Sequence, residues 1–147
     1  MKKWVENIIH KLENLTGLPI KHFVKFSIVG GSGIIVNMSF FNLFRFLGLK
    51  EAISSPIAIE ISIITNFFLN NFWTWKDRKT TEKKEKKLRF IKYNLIAWIS
   101  GSISYGIFLL LFMVAKWNPN IAQLSGIFVG MGINFIVNHK WTFKKKD

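Results

Sequence analysis

Cysteine is absent from the 147 residues. Disulfides, thiol nucleophiles and thiolate metal sites are therefore excluded, and no redox compartment is indicated. Acidic residues are scarce: eight Asp and Glu stand against 21 Lys and Arg, for a formal net charge of +13. The three histidines, His10, His22 and His139, are scattered and have no metal-site spacing. No nucleophile–base set can be assembled, so neither an enzyme activity nor a cofactor is expected. The first 20 residues mix charged and apolar types without a continuous apolar run. That pattern lacks a cleavable signal peptide, and the first span is expected to insert uncleaved.

What is present is apolar and aromatic. Half of the residues are hydrophobic and 16% are aromatic. Apolar and charged residues segregate along the chain. Residues 26–44, 93–115 and 117–138 carry no Asp, Glu, Lys or Arg, and residues 52–75 carry one, Glu60. An apolar run of about 18 residues or more can cross a hydrocarbon core of roughly 30 Å. The expected fold is an all-α membrane protein with four transmembrane helices in two helical hairpins. The boundaries read from the sequence are an amphipathic helix over 1–20, a first hairpin over 21–76 and a basic loop over 77–88. A second hairpin over 89–144 and a basic tail over 145–147 complete the chain.

Charge sets the expected orientation. Of the 21 Lys and Arg, 18 lie in residues 1–25, in residues 76–92 and after residue 138; the others are Arg45, Lys50 and Lys116. Basic residues near span ends favour the cytoplasmic side. Both termini and the central loop are thus expected in the cytoplasm of a multi-pass cell-membrane protein. The basic loops suit anionic lipid headgroups. No recognition motif accompanies them, so nucleic acid is not an expected partner. At the N-terminus, Trp4, Ile8, Leu12 and Leu15 recur at helical spacing opposite Lys2, Lys3, Glu6, Asn7, Lys11 and Asn14. This is the pattern of a helix lying in the membrane interface.

The chain also repeats itself. Asn66-Phe-Phe-Leu-Asn70-Asn71-Phe72-Trp73-Thr74-Trp75-Lys76 matches Asn134-Phe-Ile-Val-Asn138-His139-Lys140-Trp141-Thr142-Phe143-Lys144 at a spacing of 68. His22-Phe-Val-Lys25-Phe26 matches Arg89-Phe-Ile-Lys92-Tyr93 at a spacing of 67. A duplicated hairpin, with both copies running the same way, accounts for the matches.

Within the spans the polar residues are the candidate site. Asn66 and Asn70, like Asn134 and Asn138, lie one helical turn apart on one face. Asn37 falls near mid-depth of the first span, with Ser104 at the matching place of the third. A carboxamide in hydrocarbon needs a partner, so these residues are expected to face inward. They suit either helix–helix hydrogen bonding or a polar track for a hydrophilic group. Glu60 lies about 10 Å inside the outer end of its span at 1.5 Å per residue. Ionised and unpaired, it would cost about 2–3 kcal/mol. Arg45 is the basic group within reach, so an ion pair, a titrating site and a hydroxyl acceptor all stay open. Gly126 and Gly130 form a small-x-x-x-small pair that serves intrachain packing or a homo-oligomer equally well. Trp73, Trp75, Trp141 and Phe143 read as an interfacial aromatic belt.

Phe23-Val-Lys-Phe followed by Val29-Gly-Gly-Ser-Gly33 and Asn37, then Ala58-Ile-Glu60, Asn66 to Trp75, and Asn134 to Phe143, together resemble the GtrA-like family. The resemblance covers about residues 21–144 and extends to the membrane portion of some dolichol-phosphate mannose synthases. It implies movement of a polyprenyl-phosphate-linked sugar from the cytoplasmic to the outer leaflet, for cell-surface polysaccharide or teichoic-acid glycosylation. Asn37, Arg45, Glu60, Asn66, Asn70, Asn134 and Asn138 are then the expected substrate-binding residues. Trp75 stands where the family usually has Phe, and Asn71 where a basic residue is common. Two alternatives remain: a non-catalytic anchor for a cytoplasmic glycosyltransferase, and a proton-coupled exporter. The single-orientation charge bias and the duplication weigh against the exporter.

Overall fold

The computed structural model describes residues 3–144. Its helices are α1 (Lys3–Thr16), α2 (Ile20–Phe46), α3 (Glu51–Leu69), α4 (Lys83–Leu109) and α5 (Pro119–Val137). A π-helical turn follows α3 (Asn70–Thr74), α4 (Leu110–Val114) and α5 (Asn138–Thr142), and a 3-10 turn covers Lys76–Arg78. No strand occurs among the described residues. Four stretches are long and apolar enough to span a bilayer: Ile20–Phe46, Ile53–Thr74, Lys83–Val114 and Ile121–Thr142. The all-α membrane class expected from the uncharged runs is the class the chain adopts. The tail 145–147 and Lys2 lie outside the described residues. Two compact units divide the chain, Met1–Asp77 and Arg78–Asp147.

In the first unit, α1 stops at Gly17, whose φ of +66° suits a residue without a Cβ. The Glu13 carboxylate of α1 accepts a 2.8 Å hydrogen bond from the Lys21 backbone N–H, satisfying a donor that the start of α2 would leave open. At the other end of α2, Gly48 N–H donates to Arg45 O and Leu49 N–H donates to Phe44 O, both at 3.0 Å. Gly48 has φ +88°, and the two bonds form a Schellman ending. The chain reverses there, and α3 returns along α2. Ser62 Oγ donates to Gly33 O at 2.7 Å. A methyl group added at Gly33 would overlap the Asn66 carboxamide.

In the second unit, α4 begins at Lys83, inside the stretch 77–88 that reads as loop from the sequence. Lys and Glu are good helix formers, and the Glu85–Arg89 pair at i,i+4 supports this first turn. After the Leu110–Val114 turn the chain reverses, and α5 starts with Pro119 at its first position, where no N–H bond is lost. A methyl added at Gly126 would run into Ser104 O, and one at Gly130 would meet Ser104 Cβ at 2.8 Å and Ser100 O at 2.9 Å. The crossing of α4 and α5 is therefore close enough that only hydrogen fits at both glycines.

Each unit thus has a small residue and a serine at its helix crossing, but exchanged. Gly33 of the first helix faces Ser62 of the second helix in one unit. Ser100 of the first helix faces Gly130 of the second in the other.

Candidate functional site

The repeated motif builds the same object twice, an i→i+5 turn that buries an aromatic ring. Trp75 N–H donates to Asn70 O at 2.9 Å, and Phe143 N–H donates to Asn138 O at 2.8 Å. The wider turn brings residue 75 nearly above residue 70, and 143 above 138, so that the ring points into the unit. Trp75 and Phe143 are wholly buried. Trp75 meets Phe26 edge-on at 5.8 Å, and Phe143 meets Tyr93 edge-on at 6.3 Å. These two rings are therefore core residues, and of the expected aromatic belt only Trp73 and Trp141 are exposed.

Beside each turn, a lysine from the first helix of the hairpin lies over the exposed tryptophan. Lys25 Nζ is 5.6 Å from the Trp73 ring, and Lys92 Nζ is 4.6 Å from the Trp141 ring. The two differ in what else they touch. Lys25 Nζ also donates to Trp73 O at 3.3 Å. In the second unit the turn's carbonyls are taken by Arg78 instead, whose Nη1 donates to His139 O at 3.1 Å and to Phe143 O at 2.8 Å. Arg78 Nη2 lies 3.0 Å from His139 Nε2. Arg89 holds this arrangement. Its Nη1 donates to Arg78 O at 2.6 Å, its Nη2 pairs with Glu85 at 2.8 Å, and its guanidinium lies over Phe143. His22, at the position matching Arg89, lies 3.1 Å from Asp77 in the first unit.

The expected site residues fall into three settings. Asn70 and Asn138 are buried within the turns. Thr74 Oγ1 donates to Asn70 Oδ1 at 2.6 Å, and Asn138 Nδ2 donates to Asn134 Oδ1 at 2.6 Å. Asn66 and Asn134 are half-buried one turn deeper, and Asn66 Oδ1 is buried without a hydrogen-bond donor among the described residues. Asn37 lines an open groove of about 300 Å³ between α2 and α3, with Gly33, Ile59 and Ser62 among its other walls. Its counterpart Ser104 is instead packed against Gly126 and Gly130. Arg45 is exposed at the end of α2, with its guanidinium 5.7 Å from the Phe41 ring, and Glu60 is half-buried on α3. Phe128, opposite number to Glu60, is exposed. Asn37, Ser62 and Asn66 thus gather around Gly33 in the first unit, whereas Asn134 and Asn138 pair in the second.

The Lys25–Trp73 and Lys92–Trp141 stacks and the Arg78–Arg89–Glu85 set were not foreseen from the sequence. The signal for the stacks lies in the repeat itself, which keeps Lys and Trp at matching positions in both halves. Arg78 and Glu85 have no such signal, because they belong to the segment between the repeats.

Among the described residues, no group of three or more His, Asp or Glu is placed to hold a metal ion. Long apolar helices with polar residues gathered at their crossings and cations stacked at their ends define a multi-pass membrane protein. The GtrA/DPMS transmembrane domain matches residues 25–143, and the chain belongs to this family. It is also 37% identical over 124 residues to a protein of Pyrococcus furiosus named dolichol-phosphate mannosyltransferase. That stretch is 84% of this chain and 34% of the relative, so the chain spans about a third of the relative's length.

Proposed function

We propose that the protein moves a polyprenyl-phosphate-linked monosaccharide across the cytoplasmic membrane, for glycosylation of cell-surface polysaccharide or teichoic acid. The observation that carries this reading is the groove beside Gly33. It is open at the side, walled by apolar residues, and offers Asn37 and Ser62 as hydrogen-bonding groups. Asn37 is nine residues from the end of α2, roughly 14 Å along the helix. A sugar's hydroxyls need partners at such depth, while a prenyl chain does not. Asn66 lies behind the groove towards the turn, packed against Gly33 with its Oδ1 buried, and would have to swing out to meet a sugar. Glu60 and Arg45 lie on the outer part of the same hairpin and would meet the sugar there. In the second hairpin the Asn134 acceptor is taken by Asn138, so Asn134 would meet the sugar only on breaking that bond, and Asn70 and Asn138 fix the turns. The basic termini and loop face the cytoplasm in this reading.

Translocation by the purified protein in vesicles tests it. A fluorescent polyprenyl-phosphate sugar becomes accessible in the opposite leaflet with the wild-type protein. With Asn37→Leu the rate falls about tenfold or more, the loss expected for one or two buried hydrogen bonds to the sugar. An unchanged rate with well-inserted protein would remove the groove from the mechanism.

One finding favours a second reading, in which the chain anchors a cytoplasmic glycosyltransferase. The Pyrococcus relative is named a mannosyltransferase, and the matched stretch is only 34% of it. Lys83, Lys84, Lys86 and Lys87 are exposed at the start of α4 and would be the docking surface. Changing all four to Gln separates the readings. Loss of transferase recruitment with translocation intact favours the anchor.

A further inference from the structure

We infer that Lys92 and Trp141 form a binding site for the phosphate of a membrane lipid, and that the matching pair Lys25–Trp73 does not. The inference starts from how each unit completes the turn at its end. In the first unit Lys25 itself does so, donating to Trp73 O. In the second, Arg78 reaches the turn and takes His139 O and Phe143 O. The nearby carboxylate, Glu85, is occupied by Arg89 and by the Thr80 hydroxyl. Lys92 is left with the Trp141 ring and, among the described residues, no hydrogen-bond acceptor and no carboxylate.

An ammonium has three donors and keeps them satisfied. Lys92 is half-buried, so part of its side chain is shielded from solvent. An aromatic face attracts the charge but accepts none of its directed hydrogen bonds in the way an oxygen does. The missing component is an anionic oxygen at the end of a membrane span. A lipid phosphate supplies it: the oxygens accept from Lys92, and the hydrocarbon chain lies along the exposed apolar side of the unit, where Leu88, Ile91 and Leu95 face outward. The assignment of a polyprenyl phosphate as this lipid rests on the proposed function. The phosphate chemistry itself is shared with an ordinary anionic phospholipid.

The test is binding to the full chain in detergent, with two probes: a short-chain polyprenyl phosphate and phosphatidylglycerol. Lys92→Gln is expected to weaken binding of at least one probe about tenfold or more, the loss of one charged hydrogen bond. Lys92→Arg keeps the charge and should keep most of the affinity. Lys25→Gln should stay within about twofold of wild type. A larger loss for polyprenyl phosphate identifies the carrier lipid, and an equal loss for both probes identifies a general headgroup site. The inference is overturned if wild type binds neither probe, if Lys92→Gln binds both normally, or if Lys25→Gln loses as much as Lys92→Gln. Translocation is read separately in vesicles. Wild-type protein that binds through Lys92 but moves no lipid-linked sugar removes the functional reading and leaves the site. Translocating protein whose Lys92→Gln variant binds normally does the reverse.

Discussion

Thr74 and Thr142 hold the same place in the two repeats but have different surroundings. Both are buried. Thr74 Oγ1 donates to Asn70 Oδ1, whereas Thr142 Oγ1 and Asn138 Oδ1 are each buried with no hydrogen-bond partner among the described residues. Replacing a hydroxyl by a methyl of similar volume should therefore have unequal effects. Thr74→Val removes the hydrogen bond and strips a buried carboxamide oxygen of a donor, at about 1–3 kcal/mol. Thr142→Val removes a hydroxyl that is making no bond, and should be neutral or stabilising. Unfolding midpoints in mixed detergent, followed by helical circular dichroism, will rank the two variants. Equal losses would mean that the two turns are bonded alike. Glu60 has an outcome of the same local kind. With Phe128 at its matching position, Glu60→Gln should leave insertion intact and slow translocation if the carboxylate meets the sugar.

At the scale of the elements, the α4–α5 crossing is set by glycines that act by having no side chain. Gly126 faces the backbone carbonyl of Ser104, which cannot move without moving α4. Gly126→Ala should cost about 1–3 kcal/mol by overpacking. Gly132 on the same helix has nothing within 4 Å of an added methyl. Gly132→Ala should be neutral, or stabilising by up to about 1 kcal/mol through helix propensity. Thermal unfolding of the two variants, side by side, measures the difference. Most of the helices were legible in the sequence, because uncharged runs and the duplication locate them. The turns that end α3 and α5 were not. Helical periodicity cannot register one i→i+5 closure, and the tryptophans beside it fit an aromatic belt on composition alone. Trp75 and Trp73 are two residues apart, yet one is core and the other surface, and the widened turn decides which. The start of α4 was also hidden, since a run rich in Lys reads as loop until Glu85 is seen to pair with Arg89.

For the whole molecule, the expected orientation rests on 18 of 21 basic residues lying at one set of helix ends. The lack of cysteine makes this simple to measure. Single cysteines at Lys84 and at Lys144 should react with an impermeant maleimide only from the cytoplasmic side, and single cysteines at Lys50 and Lys116 only from outside. Labelling of residues 50 and 84 from the same side would overturn the hairpin topology. Much of the candidate site was also visible in the sequence, in the asparagines and in the motif that places the chain in its family. The sequence already sets the halves apart at Glu60 against Phe128 and Asn37 against Ser104, but not how differently they are bonded. Asn37 opens onto a groove where Ser104 is packed against two glycines, and Lys25 donates to a backbone carbonyl where Lys92, among the described residues, has only its tryptophan ring.

The exchanged glycine and serine bear on how a duplicated chain sorts its own helices during biosynthesis. Four spans whose ends match in two pairs enter the bilayer in succession, and each first helix meets two candidate second helices. A correct couple always combines one glycine with one serine, as Gly33 with Ser62 and Ser100 with Gly130. A crossed couple would set Gly33 against Gly130, leaving a gap, or Ser100 against Ser62, forcing two side chains into space for one. The duplicated halves thus carry complementary labels, and Ser62→Gly would erase the one that keeps Ser100 from the second helix of the first unit.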